Sequence, residues 1–327
     1  MIKSLIVVVM TLLVLSGCTA ITDNNNTEVE TVAISDALGA REIRVNPSRV
    51  AIFSFDILDI IDSVGLEKFN IDLLGMPQES VPANLSQYKD ATYKNIGTLF
   101  EANYDELDLF DPQLIIVSNR SITLVEELTS KYPNADILDA SLPDYQLRVG
   151  MEKNVENLAK IFPDAAESLH ENFNKITTAM DEMASKTSQV NAMFLLVNAN
   201  AISFYGPAGR YAMIHNEFGY GAADENTEEG GNHGKAVSFE YVLETNPEVL
   251  FLMDRGASIG NEATIDDVKN NDVLNQTDAA LNNNMYTLEP ISWYITSGGF
   301  ASAIQMLHDM NQYLESIDQG IEIPTLN

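Results

Sequence analysis

The sequence predicts an α/β protein of two similar lobes with mainly parallel sheets, joined by a single long helix, with a ligand cleft between the lobes. Three observations carry this. Asp105 to Arg120 reads DELDLFDPQLIIVSNR and Glu240 to Arg255 reads EYVLETNPEVLFLMDR, an offset of 135 residues. In both, an acid opens a short amphipathic stretch, Pro follows seven residues later, and Arg comes eight after the Pro. Second, the run after each Pro (Leu114 to Val117, Val249 to Met253) is continuously apolar, the pattern of a strand buried on both faces of a parallel sheet. Third, Leu169, Phe173, Ile176, Met180 and Met183 step by four, three, four and three. That is one stripe of a helix from about Asp164 to Ser185, long enough at 1.5 Å per residue to span about 30 Å.

Along the chain, Met1-Ile2-Lys3 is a short basic start and Leu5 to Leu15 an apolar run ended by Leu15-Ser16-Gly17-Cys18. The run is too short to span a bilayer as a mature helix, and small residues follow it as at a signal-peptide cleavage site. Leu-Ser-Gly-Cys resembles the bacterial lipobox, which makes 1–17 a signal peptide and Cys18 a lipidated first residue. Residues 18–32, with Asn24-Asn25-Asn26, read as a polar tether. Arg49 to Phe53 then opens an N-terminal lobe (33–163), and Ile57, Ile60, Ile61 and Val64 at helical spacing follow directly. The linking helix is placed at 164–185. Met193 to Asn198 opens a C-terminal lobe (186–327). Each repeated unit puts its arginine, Arg120 or Arg255, just past the carboxyl end of a buried strand, where open α/β sheets bind ligands.

Composition narrows the function. The chain has 327 residues, with 18 Lys+Arg against 48 Asp+Glu and a formal charge of −30. Such a chain lacks the cationic footprint for nucleic acid or for docking on lipid by a basic face. Recurring apolar runs exclude disorder, and one cysteine excludes a disulfide framework or Cys-rich metal site. Nucleophile elbow, zincin and P-loop motifs are absent. Gly219-Tyr220-Gly221 begins a dinucleotide-loop pattern that fails at Asp224. Of the four histidines, His170 and His308 read as surface helix residues and His215 as a helix residue. His233, in Gly230-Gly231-Asn232-His233-Gly234-Lys235, sits in a loop of the kind that carries binding residues. Arg120, Arg210 and Arg255 stand outside any charge run in a chain with few cations.

Taken together, Pro47-Ser48-Arg49-Val50, Pro112-Gln113-Leu114-Ile115-Ile116 with Arg120, Tyr205-Gly206-Pro207-Ala208-Gly209-Arg210, His233-Gly234-Lys235, Asn246-Pro247 with Asp254-Arg255, and Trp293-Tyr294-Ile295-Thr296-Ser297-Gly298 form a specific series. In order and spacing they resemble the substrate-binding lipoproteins of bacterial ABC importers, the iron siderophore and vitamin B12 branch, and most closely the catecholate binders of the enterobactin and petrobactin type. The resemblance covers about Pro47 to Met310. It implies the class III periplasmic-binding-protein fold, with a cleft that changes shape only slightly. Arg120, Arg210 and Arg255 match the arginine trio facing the catecholate oxygens, with Lys235 beside them among the ligand-binding residues. His233 and Tyr294 match the pair that binds Fe(III) directly. Asp105 and Glu240 match the acid on each lobe that docks on the permease, although the family more often has glutamate at the position of Asp105.

The expectation is a monomeric binding protein held extracytoplasmically by lipid, with no intrinsic cofactor and no catalysed reaction. It would capture a ferric catecholate siderophore and deliver it to an ABC importer permease. Haem, a corrinoid or a hydroxamate siderophore on the same scaffold is the alternative. A lipid-anchored hydrolase using His233 as base is a more distant one, since no nucleophile or metal cluster accompanies that histidine.

Overall fold

The computed structural model describes residues 29–199, 201–225, 234–262 and 264–327. The expected signal peptide, Cys18 and His233 lie outside them. A hairpin of β1 (Thr31–Asp36) and β2 (Gly39–Arg44) precedes the first sheet, whose strands are β3 (Arg49–Ile52), β4 (Leu73–Met76), β5 (Lys94–Asn95), β6 (Leu114–Val117) and β7 (Asp136–Asp139). Its order is β5-β4-β3-β6-β7, and every pair is parallel. The helices of this half are α1 (Phe55–Val64), α2 (Tyr104–Phe110), α3 (Val125–Lys131) and α4 (Leu147–Ile161). α1 follows β3 almost at once because Ser54 caps it, its hydroxyl accepting the Ile57 N–H.

α5 (Ala166–Thr187) crosses to the second half. It starts two residues later than its apolar stripe suggests, because Pro163–Ala165 first makes a 3-10 turn. The second half contains β8 (Asn191–Asn198), β9 (Ala201–Tyr205), α6 (Met213–Asn216), β10 (Gly221–Ala222), β11 (Lys235–Val237), α7 (Phe239–Thr245), β12 (Val249–Asp254), α8 (Arg255–Ser258), α9 (Ile265–Lys269), α10 (Asp278–Leu281), β13 (Met285–Thr287), α11 (Pro290–Tyr294) and α12 (Phe300–Ser316). The sheet order is β11-β9-β8-β12-β13, with β10 also paired to β8. β10, β12 and β13 join in parallel, while β9 and β11 add antiparallel strands at one edge.

The repeated unit is a helix, a turn and a strand in both halves: α2 into β6, α7 into β12. Each helix has a polar N-cap, Asn103 or Ser238, and ends on a left-handed residue, Asp111 (φ 50) or Asn246 (φ 46), directly before its proline. Asn and Asp tolerate that conformation better than most residues, and Pro cannot continue the helix. The helix returns antiparallel to its strand, so the acid of its first turn and the arginine beyond the strand share one end of the unit.

Alternation along the strands divides the core. Val50, Ile52, Leu114 and Ile116 of the first sheet, with Phe194, Phe251 and Met253 of the second, enter one cluster that also takes Ile57 and Ile60 of α1, Leu169, Ile176 and Met180 of α5, and Met306 of α12. The opposite residues form separate outer cores: Ala51, Phe53, Ile115 and Val117 in one lobe, Met193, Leu195, Leu250 and Leu252 in the other. The inner core therefore runs unbroken through both lobes and the connecting helix. Two packed lobes of this kind resist hinge opening, because opening exposes apolar area at about 25 cal/mol per Å². Gly219 explains the incomplete glycine motif: at φ +78, a Cβ there would lie 2.4 Å from Ala184 Cα on α5, so the turn is fitted to the helix.

Candidate functional site

The chain has seven arginines. Arg41, Arg44, Arg49 and Arg148 each pair with a carboxylate. Arg120, Arg210 and Arg255 have none within 4.0 Å among the described residues, and all three converge on Tyr294. Arg120, past β6, donates from Nη2 to the Tyr294 carbonyl at 2.5 Å, and its Cζ lies 4.6 Å from the ring centroid. Arg210, from the turn after β9, donates to the same carbonyl at 2.9 Å and stands 4.2 Å from the ring. Arg255, at the end of β12, donates from Nε to the phenol oxygen at 3.0 Å.

The electrostatic result has a definite sign. Burial pushes the Tyr294 phenol up. The Arg255 hydrogen bond and the charges of Arg210, Arg120 and Arg255 oppose it and prevail, so the phenol lies below its ordinary range. Arg120 is pushed down, first by burial and then by Arg210. Guanidinium groups still keep their proton under such pressure. The site is a cluster of fixed positive charge around a phenol whose proton affinity it lowers.

Arg120, Arg210 and Tyr294 line a cavity of about 160 Å³ between the lobes. The N-terminal lobe supplies its apolar wall with Phe53, Phe55, Leu99 and Leu142, and the C-terminal lobe supplies Arg210, Met213 and Tyr294. Behind it Phe194, Tyr205 and Tyr211 pack as an aromatic cluster, with centroids 4.4 to 5.9 Å apart. Gly234 lies flat on Tyr205: at φ +68, a Cβ would come 2.5 Å from the ring. Its neighbour His233 falls outside the described residues. Lys235, on β11, holds its ammonium 5.4 Å from the Tyr241 ring centroid. Asp105 and Glu240 are exposed, each in the first turn of its helix. His308 is exposed and His170 half-buried, and His215 is a half-buried residue of α6 whose Nδ1 meets the Tyr220 carbonyl at 2.9 Å.

The segment after Tyr294 is held by the other lobe, which the sequence reading missed. Asp59 on α1 accepts from Ala301 N–H (2.7 Å), Ser302 N–H (3.2 Å) and the Ser302 hydroxyl (2.6 Å), all in the first turn of α12. α12 has no side-chain cap of its own, so a carboxylate from the N-terminal lobe serves instead. Burial nonetheless pushes Asp59 up to about 7, against those three donors. Asp56, one turn earlier, is pushed up to about 6 by burial, opposed by Ser54. Both acids interrupt an apolar helix, and that was the available signal. The partners of Asp59 lie 242 and 243 residues away, and no local pattern names them. Tyr145 and Asn119, which also line the cleft, carried no signal at all.

Two α/β sheets, one connecting helix and a cleft of unpaired cations define a two-lobed ligand-binding protein. The chain belongs to the periplasmic binding protein family, which matches residues 76–291. It is 30% identical over 318 residues to the petrobactin-binding protein YclQ of Bacillus subtilis, covering 95% of this chain and 98% of that one. The crystal structure of YclQ superposes with a TM-score of 0.78 over 86% of this chain and 97% of that chain. The catecholate-siderophore binding protein VctP of Vibrio cholerae gives 0.76 at 25% identity, over 86% of this chain and 99% of that one. The ferric-anguibactin-binding protein FatB of Vibrio anguillarum is 25% identical over 85% of this chain and 86% of its own length. The fold is the class III form that the resemblance implied, with the two lobes and single long helix that the repeated unit and apolar stripe predicted. No described helix is long and apolar enough to cross a membrane.

Proposed function

We propose that the protein captures a ferric catecholate siderophore in the cleft and delivers it to the permease of an ABC importer, catalysing no reaction. One observation carries this: in a chain of charge −30, the three arginines without an acid partner among the described residues all surround one tyrosine between the lobes. That arrangement suits a compact, oxygen-rich anion, because each guanidinium offers charge-assisted hydrogen bonds in a fixed plane. Fe(III) is a hard ion that prefers oxygen donors. A bis-catecholate supplies four of them, and the Tyr294 phenolate and the His233 imidazole complete the shell. The arginines contribute twice, by holding the catecholate oxygens and by lowering the proton affinity of Tyr294. Relatives named for petrobactin and for ferric anguibactin support the ligand class. In this reading Lys235 adds a cation at the margin, Asp105 and Glu240 dock on the permease, and Cys18 carries the lipid that anchors the protein outside the cytoplasm.

The test is a titration of the full chain in detergent, following the emission of Trp293, the only tryptophan, next to Tyr294. A bis-catecholate, a tris-catecholate, a hydroxamate and haem are compared, each with its iron-free control. Quenching at submicromolar ferric bis-catecholate, lost in a His233→Ala/Tyr294→Phe double variant, is the expected result. Equal quenching in the double variant removes direct coordination and keeps the ligand class. Tight hydroxamate or haem binding with no catecholate response overturns the ligand class.

A further inference from the structure

Behind the cleft lies a second cavity of about 360 Å³, lined by Asp144, Gln146, Gly209 and Asn216 among others. Tyr145 and Met213 line both spaces and form the wall between them. Sites for drug-sized ligands occupy roughly 300–1,000 Å³. The cleft alone falls below that range, and the two volumes combined fall inside it.

The wall is unusual in its backbone. Asp144 (φ 47) and Tyr145 (φ 56) are consecutive left-handed residues, and neither is glycine. For a bulky side chain this conformation is a genuine outlier, and such outliers cluster at ligand clamps. The turn is closed by Gln146 N–H on the Pro143 carbonyl at 2.8 Å, while the Tyr145 N–H reaches the Leu142 carbonyl only at 3.4 Å. The turn thus fixes where the Tyr145 side chain starts but not which way it points. Its phenol makes no hydrogen bond to any described residue. The other half of the wall is Met213, an unbranched thioether that repacks readily.

We propose that Tyr145 is a movable partition of the ligand chamber, turning aside so that the linker between the two catecholates of a ferric chelate seats in the second cavity. This rests on the ferric catecholate reading above. The iron and catecholate oxygens stay with Arg120, Arg210, Arg255 and Tyr294, and the second cavity reads the linker. Tyr145 is accordingly a specificity-determining residue: it distinguishes chelators by what joins their iron-binding groups.

The experiment compares two probes with identical iron-binding groups. One is the ferric complex of two free catechols; the other is the ferric complex of a linear bis-catecholamide with a long flexible linker. Affinity is measured by equilibrium dialysis of radiolabelled iron with the full chain in detergent, and association by stopped flow. In Tyr145→Trp the larger ring blocks the passage. The linked chelate is expected to weaken about tenfold or more, with the free-catechol complex changed by less than about threefold. In Tyr145→Ala the passage stands open, and the linked chelate is expected to associate about tenfold faster, again with little change for the unlinked complex. If Tyr145→Trp misfolds, the Tyr145→Ala comparison decides alone. Equal changes for both probes, or none for either, overturn the partition while leaving the ligand class intact. A wild-type protein that binds neither probe refutes the ligand class, and the partition with it.

Discussion

Asp59→Asn tests whether a buried, titrating carboxylate ties the two lobes together. The wild-type carboxyl keeps its proton up to about 7, where the free side chain loses it at 3.8. Between those values the folded state holds a proton that the unfolded chain has released. Stability therefore falls as pH rises through the window, by up to about 1.4 kcal/mol per pH unit. Integrated from about pH 5 to about pH 8, the Asp59 contribution is a loss of roughly 2 to 3 kcal/mol. The acid form has a place to send its proton, because the Ser302 and Thr296 hydroxyls are 2.6 Å apart and either can donate. A protonated Asp59 donates to Ser302, which then donates to Thr296; an ionised Asp59 accepts from Ser302. Asparagine cannot titrate, so urea unfolding of the variant at the two pH values should show a drop smaller than wild type by roughly 2 to 3 kcal/mol, since Asp56 and Asp309 contribute the same sign in both proteins. The variant is less stable at both pH values, because its amide NH₂ faces a backbone N–H of the α12 first turn. Parallel pH profiles for the two proteins would refute the argument: Asp59 would then not be the titrating clasp.

Three further outcomes follow from the same structure. Gly299→Ala places a Cβ 2.3 Å from Asp59 Cγ, so calorimetry should show a loss of about 2 kcal/mol or more; Gly39→Ala, where nothing lies within 4 Å, should cost only about 1 kcal/mol from its positive φ. The Trp293 indole donates to Asp309 at 2.7 Å, and burial pushes that carboxyl up to about 6. Trp293 emission should therefore shift with a midpoint near 6, and Asp309→Asn should abolish the shift. Asp105→Ala and Glu240→Ala should leave ligand affinity unchanged while each lowers cellular iron uptake roughly fivefold; a matching loss of affinity would move these acids from docking to binding.

Much of the fold was legible because its signals are local. The continuous apolar runs of β6 and β12 and the stripe of α5 are each written within a dozen or two residues, and the 135-residue repeat joined them into two lobes. The strands β9 and β11 left no comparable trace: they are short, and only three of their eight residues are buried. For the site, the arginines were legible by rarity, since cations are scarce in this chain. Their convergence was not, because Arg120, Arg210 and Arg255 meet Tyr294 across separations of 174, 84 and 39 residues. Asp59 and Tyr145 were missed for different reasons. Asp59 takes its role from α12, 242 and 243 residues further on, and Tyr145 owes its place to a left-handed turn that no residue type in Pro143-Asp144-Tyr145 announces.

The charge of the whole molecule and the charge of the cleft then have separate consequences. A protein of −30 repels an anionic chelate at long range, but at physiological ionic strength that field decays over about 8 Å. The Arg120, Arg210 and Arg255 guanidiniums lie 4.2 to 5.7 Å from the Tyr294 ring centroid, within one decay length of a ligand bound there. Because no described carboxylate neutralises them, their field is intact where screening is weakest. An acid paired to any of the three would cancel that advantage and also raise the proton affinity of Tyr294. The four other arginines, which are paired, show that acids in this chain readily take such positions elsewhere. Burial and the neighbouring Arg210 press Arg120 down in the empty fold, and an anion bound between these guanidiniums would relieve that pressure.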